Sequence, residues 1–208
     1  EAVYAGGCVR DMLLGAQPHD YDVASSARPE QVQSLFRRTF AVGAQFGVVC
    51  VLEGPHEIQV ATFRSDGEYT DGRHPETVSF SDAKNDALRR DFTVNGLFYD
   101  PIQKTVSDFV GGRADLAAKI IRAIGDPEHR FAEDKLRLLR AVRFACTLDF
   151  EIEAETWTAV CTNAPRLQGV SAERIREEFT KIMLSPARVR GFDLLDESGL
   201  MRVILPEI

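Results

Sequence analysis

A pair of adjacent glycines near the start of the chain, Gly6 and Gly7, connects a short apolar segment to a helix-forming one. The strand predicted next carries two carboxylates, Asp20 and Asp22, at positions i and i+2. Because alternate side chains of a strand share a face, we expect both carboxylates to point the same way. The pattern predicts a mixed α/β arrangement in which a glycine turn lies beside an acidic strand.

The glycine turn and the two carboxylates together indicate a site for phosphate and metal. Gly7 lets backbone N–H groups approach a phosphate closely, and Arg10 can neutralise a triphosphate oxygen. Asp20 and Asp22 repel each other unless a cation lies between them, and their all-oxygen ligation suits Mg²⁺. The alternatives are an ordinary turn with an Arg10–Asp11 surface pair and a solvated edge strand. Since these elements follow one another closely, we favour nucleotidyl transfer from a nucleoside triphosphate.

Composition limits the classes of partner. The 208 residues are 44% hydrophobic, which is enough for a buried core, and the net charge is −7. Residues 1–112 hold 10 Lys and Arg against 16 Asp and Glu, and residues 113–208 hold 15 against 16, so no basic surface stands out. No apolar stretch reaches membrane-spanning length, and no secretory signal is visible. The four cysteines lie far apart, which predicts no zinc site, no disulfide and a reducing, cytoplasmic location.

The chain changes character at Gly111-Gly112, which we take as a boundary between a domain at 1–112 and a domain at 113–208. The first part has mostly strand patterns and a long polar loop, Ser65–Asp86, whereas the second has helical periodicity. The predicted strands are Ala2–Ala5, Tyr21–Ala24, Val48–Leu52, Glu57–Phe63, Thr93–Tyr99 and Val106–Phe109. The predicted helices run from about Pro29 to Arg38, from Pro127 to Leu148, and over Glu153–Asn163, Ser171–Met183 and Ala187–Ser198.

The segment from Arg89 to Asn95 places two arginines, an acid and an amide around a short apolar core. In one interpretation it is a loop-to-strand junction with a salt bridge. In the other it is a sugar and phosphate clamp, with Arg90 on phosphate and Asp91 or Asn95 on ribose. Taken alone, the motif is compatible with both interpretations.

A second group of charged residues lies in the predicted helix of the C-terminal half. Its members recur every three residues and form one stripe: Asp134, Arg137, Arg140 and Arg143. With little acid around them the arginines repel one another, which indicates an anionic ligand; the alternative is a solvated face with Glu133–Arg137 pairing. Asp134 as acceptor and Arg137 as donor also match the Watson–Crick edge that cytosine and adenine share. Uracil and guanine present the reverse order, so such a pair selects C and A without a template.

These segments together resemble the class II tRNA nucleotidyltransferase and bacterial poly(A) polymerase family of the polymerase-beta-like superfamily. The matches follow the family's order through most of the chain. They are Gly6–Asp22 (GGxVRDxLLG followed by DxD), Thr62-Phe63-Arg64, Asp71-Gly72-Arg73, Arg89–Asn95 (RRDFTxN), Gly125–Phe131, Glu133–Arg137 (EDxxR) and Ser171–Glu178. One departure is Gln59, which stands where many relatives have an acid.

The resemblance implies an α+β fold, with a catalytic head domain on a mixed five-stranded sheet (1–112) followed by an all-helical neck (113–208). It implies that Asp20 and Asp22 are the catalytic residues and the ligands of Mg²⁺. It also implies that Asp71 and Arg73 belong to a flexible loop associated with adding a terminal A. The candidate nucleotide-binding residues are Gly7, Arg10, Arg90, Asp91, Asn95, Asp134, Arg137, Arg140 and Arg143.

The implied activity is template-independent addition of CMP, AMP or both, from CTP and ATP, to the 3′ end of an RNA, foremost a tRNA. Full CCA addition or addition of A alone is favoured, and the alternatives are a poly(A) polymerase and a non-catalytic nucleotide- or RNA-binding fragment. Gln59 supports the last alternative, whereas the intact pair of Asp20 and Asp22 supports the enzyme. The sequence leaves the oligomeric state open.

Overall fold

The computed structural model describes residues 1–41, 47–67, 69 and 77–207. The described residues form two compact units: residues 1–41, 47–67 and 77–113 in the first, and residues 69 and 114–207 in the second. The interpretation of these units as a catalytic head and a nucleotide-selecting neck stays a prediction.

The first unit is built on a mixed sheet. Its strands are β1 (Ala2–Ala5), β2 (Asp22–Ser25), β3 (Thr39–Ala41), β4 (Val48–Glu53), β5 (His56–Thr62), β6 (Arg64–Asp66), β7 (Val78–Phe80), β8 (Leu97–Asp100) and β9 (Thr105–Asp108). Within the described residues, seven of them form one sheet in the order β3-β4-β5-β2-β1-β8-β9, and β6 pairs with β7 separately. The expected sheet of five strands is therefore too small. The edge strand β3 has only 3 residues, too few to show an alternating pattern in the sequence.

Near the middle of the sheet, β2 and β5 run parallel, whereas the other described neighbours are antiparallel. Their register places Asp22 beside Gln59. Ala24 belongs to a buried cluster that also contains Val3, Ala5, Phe63 and Phe98. Since alternate residues share a face, Asp22 points to the same side of the sheet as Ala24. The opposite side packs against α2 (Pro29–Leu35) through Val32.

One predicted strand, Thr93–Tyr99, is wrong in its first half. Thr93–Asn95 form a 3-10 helix, and β8 begins only at Leu97. All three residues of the 3-10 helix are buried. A short buried segment of any conformation has the apolar composition of a strand, which explains the wrong prediction. The turn also packs tightly against the backbone of Gly112, where a side chain would collide with the carbonyl group of Thr93.

Two more helices belong to the first unit, α1 (Gly7–Leu13) and α3 (Ala83–Leu88). Helix α3 is capped, because the Asp82 carboxylate accepts a 2.8 Å hydrogen bond from the Asn85 N–H. This helix and the β6–β7 pair occupy both ends of the segment expected to be a loop, Ser65–Asp86. The loop prediction is thus wrong at both ends, and residues 68 and 70–76 lie outside the described part of the chain.

The second unit is mostly helical. The helices from residue 112 onward are α4 (Gly112–Ala118), α5 (Pro127–Glu133), α6 (Arg137–Leu148), α7 (Ala154–Asn163), α8 (Ala172–Met183), α9 (Arg188–Glu197) and α10 (Leu200–Ile204), with a 3-10 helix at Ala164–Gly169. Two short strands, β10 (Ile120–Ile121) and β11 (Glu151–Ile152), pair in parallel, so the expected all-helical neck is not entirely helical. Helix α9 comes close to α8 at Gly191, where a side chain would collide with Ile182.

The helix predicted from Pro127 to Leu148 is in fact two helices. Helix α5 ends at Glu133, and Asp134 then has an extended backbone with φ −139° and ψ 105°. The Asp134 carboxylate accepts a 3.0 Å hydrogen bond from the Leu136 N–H at the start of the next helix. The spacing of apolar residues continues across the break, which hides it in the sequence. Asp134 therefore does not lie on the helix that carries Arg137.

None of the described helices has the length and apolar character needed to cross a bilayer. All four cysteines are free thiols, and three of them, Cys8, Cys50 and Cys146, are buried. Burial raises the pKa of the Cys146 thiol to about 11, so this residue is protonated at neutral pH and unreactive.

The turn after β9 is organised by Asp108. Its carboxylate accepts hydrogen bonds of 3.1, 3.0 and 2.9 Å from the backbone N–H groups of Val110, Gly112 and Arg113. Burial raises the pKa of Asp108, but these hydrogen bonds outweigh burial and hold the pKa below its ordinary value.

We expect Asp108→Asn to lower the free energy of unfolding by about 1–3 kcal/mol near pH 7, because a charged acceptor is lost. Since folding lowers the pKa of Asp108, its stabilising effect is complete above the unfolded-state value of about 3.9 and is lost as the pH falls through the folded-state value. Urea unfolding near pH 7 and near pH 3 should therefore show a smaller difference from wild type at the lower pH. An equal difference at both pH values contradicts this explanation. The control is Asp193→Asn, at an exposed position of α9.

Candidate functional site

The two acidic residues of the predicted metal site lie at the start of β2. Asp22 is the first residue of that strand, and Asp20 lies in the bend before it, so the prediction that both belong to one strand face is wrong. Their charges nevertheless interact. Loss of hydration raises the pKa of the Asp22 carboxyl, the Arg90 guanidinium lowers it and the charge of Asp20 raises it, with a net increase. Asp20 and Asp22 are therefore close enough to repel each other, with Arg90 nearby.

The neighbour of Asp22 across the sheet is Gln59, which is exposed. An amide thus occupies the position beside Asp22 that a third carboxylate would need. In the part of the chain that the structure describes, no group of three or more His, Cys, Asp or Glu is arranged to hold a metal ion. The acidic donors at this position are therefore the two carboxylates, and further ligands would have to come from a substrate or from water.

Arg10, on α1, is buried and held by two polar side chains. Its Nη2 pairs with the Asp11 carboxylate at 2.7 Å, and its Nη1 donates a 2.8 Å hydrogen bond to Oδ1 of Asn95. Asn95 in turn donates a 3.1 Å hydrogen bond to the buried Asp91 carboxylate. The Arg10–Asp11 ion pair expected in the alternative interpretation is therefore present. Arg10 also connects the glycine turn to the Arg89–Asn95 segment, through its hydrogen bond to Asn95.

Arg90 lies between the glycine turn and the sheet. Its Nη1 donates a 3.3 Å hydrogen bond to the Asn95 carbonyl, and its guanidinium carbon lies 5.0 Å from the centre of the Phe98 ring. A Cβ placed at Gly6 would lie 2.8 Å from that Nη1, and Gly6 has a φ of 75°. At Gly7 a Cβ would make only ordinary contacts. The positive φ and the closeness of Arg90 both favour a glycine at position 6, whereas the sequence prediction named only Gly7 as a binding residue.

A buried carboxylate that the sequence did not single out, Asp86, binds both arginines of this segment. Its Oδ1 accepts a 2.6 Å hydrogen bond from Nη2 of Arg89, and its Oδ2 accepts one of 2.9 Å from Nη2 of Arg90. Burial raises the pKa of Asp86, but the two guanidinium groups outweigh it and hold the pKa below its ordinary value. The spacing i, i+3 and i+4 is the available sequence signal for such pairing on a helix.

The remaining predicted binding residues belong to the second unit. The Asp134 carboxylate pairs with Arg174 at 2.9 Å, and Arg137 donates hydrogen bonds of 2.7 Å to Glu133 and 3.0 Å to the Arg130 carbonyl. Both members of the predicted base-reading pair are thus oriented by charged neighbours. The premise of an arginine stripe with little acid around it is wrong.

Arg140 and Arg143 both lie over the ring of Phe144, with guanidinium carbons 5.2 and 3.9 Å from its centre. Arg143 also pairs with the buried carboxylate of Glu178 at 2.5 Å. Helix α8 therefore supplies Arg174 as the partner of Asp134 and Glu178 as the partner of Arg143. These two residues of α8 lie in the segment Ser171–Glu178, whose role the sequence left unspecified.

The structure thus gathers the predicted site residues into two groups. In the first unit Arg10, Arg90, Asp91 and Asn95 form one polar cluster, next to which lie Asp20, Asp22 and Gly7. The second unit holds Asp134, Arg137, Arg140 and Arg143. Asp71 and Arg73 lie outside the described residues, so the prediction of a flexible loop around them stays a prediction.

Comparison with known families identifies the chain. The family described as Poly A polymerase head domain matches residues 2–122. A second family, described as the probable RNA and SrmB-binding site of polymerase A, matches residues 149–208. Since the first match covers more than half of the chain, the chain belongs to the poly(A) polymerase head domain family. The resemblance inferred from the motifs is confirmed.

Individual relatives agree with this assignment. A CCA-adding enzyme from Lactococcus lactis is 42% identical over 212 residues, which cover 100% of this chain and 53% of that protein. One from Pediococcus pentosaceus is 45% identical over 194 residues, which cover 93% of this chain and 49% of that protein. The chain therefore spans about half the length of the curated relatives it matches.

Solved structures show the same fold. The crystal structure of the Bacillus stearothermophilus CCA-adding enzyme in complex with CTP matches with a TM-score of 0.88 and 40% identity, over 96% of this chain and 48% of that one. A tRNA nucleotidyltransferase complexed with a primer tRNA and an incoming ATP analog matches with a TM-score of 0.82 and 28% identity, over 98% of this chain and 59% of that one. The expected α+β class is confirmed, with more strands than expected.

Two glycines with the same backbone conformation allow the contact at Gly6 to be tested by itself. Gly6 and Gly15 both have a φ of 75°, so replacement by alanine imposes a similar backbone penalty of about 1–2 kcal/mol at each. At Gly15 a Cβ would have no neighbour within 4 Å, whereas at Gly6 it would meet Arg90. We expect Gly6→Ala to lower the free energy of unfolding, measured in urea, by more than Gly15→Ala does. Equal losses in the two variants would show that the contact with Arg90 does not matter.

Proposed function

We propose that this chain is the catalytic and nucleotide-selecting part of a nucleotidyltransferase that adds CMP and AMP, from CTP and ATP, to the 3′ end of tRNA without a template. The observation that carries the proposal is that Asp22, at the start of β2, points to the side of the sheet where Arg90 lies over Phe98. Relatives named CCA-adding enzymes support tRNA as the acceptor and full CCA as the product. We also propose a cytoplasmic location, with which the four free cysteines agree.

We infer that Asp20 and Asp22 hold a divalent cation, and that this cation is Mg²⁺. Both side chains offer only oxygen ligands, and an amide oxygen is available at the neighbouring Gln59. Two carboxylates suffice for Mg²⁺, because this ion usually completes its shell with water and substrate phosphates. When bound, the ion would neutralise charge on the triphosphate and favour ionisation of the attacking hydroxyl.

In the proposed reaction the 3′ hydroxyl oxygen of the RNA forms a bond with the α-phosphorus of the nucleotide, and the bond from that phosphorus to pyrophosphate breaks. Arg90 and Arg10 bind the triphosphate and hold it in line with the attacking oxygen. Asp22 is the candidate acceptor of the hydroxyl proton, because its carboxylate lies at the start of β2 within the proposed site. Asn95 and Asp91 keep the guanidinium of Arg10 in place.

We expect Asp22→Asn and Asp20→Asn each to slow incorporation of labelled CMP and AMP into tRNA by at least about 100-fold, because the charge that holds the cation is reduced. The measurement is the initial rate in the presence of Mg²⁺. Asp193→Asn, an exposed residue on α9, is the matched control and should keep the wild-type rate. Wild-type rates in both site variants would refute the catalytic role of the pair.

In this proposal the second unit selects the base. The Asp134 carboxylate accepts a hydrogen bond from the exocyclic amine of cytosine or adenine, and Arg137 donates one to the adjacent ring nitrogen. Arg174 and Glu133 already orient these two side chains, so little reorganisation is needed when a nucleotide binds. Uracil and guanine would set a carbonyl oxygen against the Asp134 carboxylate and a ring N–H group against Arg137, so both contacts would be repulsive.

We expect Asp134→Ala to reduce kcat/KM for CTP and ATP by about 10-fold to 100-fold, corresponding to the loss of one hydrogen bond to a charged group. The slow misincorporation of UTP should change much less, so the preference for CTP over UTP should fall. Parallel assays with CTP, ATP and UTP on one tRNA primer measure both quantities. An equal loss with all three nucleotides would mean that Asp134 does not read the base.

A poly(A) polymerase is the second candidate, because the matching families are described by that activity. It would add AMP repeatedly to RNA primers that lack a tRNA structure, and CTP would be a poor substrate. A non-catalytic nucleotide-binding fragment is the third candidate, which the amide at Gln59 favours. Metal-dependent transfer that needs Asp20 and Asp22 would exclude the third candidate, and the choice of primer and nucleotide separates the first two.

A further inference from the structure

The two arginines that follow α3, Arg89 and Arg90, share the buried carboxylate of Asp86. We propose that Asp86 is a positioning residue that holds Arg90 away from Asp22. Asp22 then stays available to a cation, and Arg90 stays available to the phosphates of a nucleotide. The inference rests on the proposed function for the roles of Arg90 and Asp22, and it adds a role for Asp86 that the sequence motifs did not include.

Hydrogen bonds from Arg89 and Arg90 determine the orientation of the Asp86 carboxylate. The side chain is only 1% exposed, and both of its oxygens accept hydrogen bonds. Oδ2 accepts two from Arg90, from Nη2 at 2.9 Å and from Nε at 3.2 Å, and Oδ1 accepts two from Arg89, from Nη2 at 2.6 Å and from Nε at 2.8 Å. A carboxylate enclosed in protein is stable as an ion only with such partners.

Arg90 is held on three sides as a result. The edge formed by Nε and Nη2 faces Asp86, while Nη1 donates to the Asn95 carbonyl at 3.3 Å. The flat face of the guanidinium lies over the ring of Phe98. Because the Asp86 contact uses two of the three nitrogens, it determines the orientation of the group more than the other two contacts do.

Asp22 is the competing partner for Arg90. The two groups are close enough for the charge of Arg90 to act on Asp22, but within the described chain Arg90 makes its ion pair with Asp86 and none with Asp22. If the charge of Asp86 were removed, the attraction between Arg90 and the Asp20–Asp22 pair would no longer be opposed. Arg90 would then occupy the position that a cation needs.

The surrounding charges favour the same role. Arg89 lies 3.6 Å from Asp66, and Asp66 pairs with Arg64 at 2.9 Å. These contacts join Asp66, Arg89 and Asp86 into one series of ion pairs that reaches Arg90. An arginine held in this way can bind a neighbouring polyanion such as a triphosphate while it is kept from Asp22.

The test measures binding of Mn²⁺ alone, without nucleotide, by the electron paramagnetic resonance signal of the free ion. Asp86→Asn should weaken Mn²⁺ binding by about 10-fold, as is typical when an outer residue of a metal site is lost. The double variant Asp86→Asn with Arg90→Gln should return to within about 2-fold of wild type, because the competing charge is gone. Asp115→Asn is the matched control, since it removes another buried carboxylate paired with an arginine, Arg122, in the second unit.

Two results would overturn the inference. One is Mn²⁺ binding by folded Asp86→Asn that equals wild type. The other is a double variant that binds Mn²⁺ as weakly as Asp86→Asn, which would mean that Asp86 acts through general stability and not through Arg90. Circular dichroism and thermal unfolding establish that each variant is folded.

Arg90→Gln alone decides the question if Asp86→Asn does not fold, because Asp86 keeps Arg89 as a partner in that variant. As Arg90 is not paired with Asp22 in wild type, its removal should change Mn²⁺ affinity by less than about 3-fold, whereas a gain of about 10-fold would overturn the inference. Activity assays keep the two proposals separate. Wild type that binds Mn²⁺ but transfers no nucleotide overturns the proposed function and leaves the positioning role of Asp86 intact.

Discussion

A carboxylate enclosed by protein, such as that of Asp86, is stable as an ion only when cations and hydrogen bonds replace the water it has lost. Arg89 and Arg90 provide both, and in doing so Arg90 is placed against the turn at Gly6. That close approach, together with the positive φ of Gly6, favours glycine at this position. The strand-to-helix turn, the arginines and the sheet face that carries Asp22 are therefore linked through one buried ion cluster.

The parallel pairing of β2 and β5 is the second constraint on the site. It is the one parallel contact among the described strands of the large sheet, and it sets Asp22 beside Gln59. The apolar residues of the same strands pack in two layers, so the register cannot slip without exposing the core. The position of the Asp22 carboxylate is thus determined by the apolar residues of β2 and β5 that surround it.

Local spacing predicted Asp20 and Asp22 as neighbours, although it wrongly placed Asp20 on the strand, and the bounds of β1 follow from four consecutive residues before a glycine turn. Features that depend on distant contacts were not predictable. The break at Asp134 is stabilised by Arg174, which lies 40 residues away in the chain. The 3-10 helix at Thr93–Asn95 resembles a strand because all of its residues are buried. Asp86 has a recognisable helical spacing to its arginines, but only the fold shows that it is enclosed.

The central claim is that the Asp20–Asp22 pair and the arginines around it transfer CMP and AMP to tRNA. The most direct measurement supplies labelled CTP and ATP, separately and together with Mg²⁺, to tRNAs that end before CCA, after C and after CC. Stepwise addition of C, C and A, with ATP used only after the second C, is the predicted result. Failure to extend any of the three tRNAs while CTP still binds would contradict the claim.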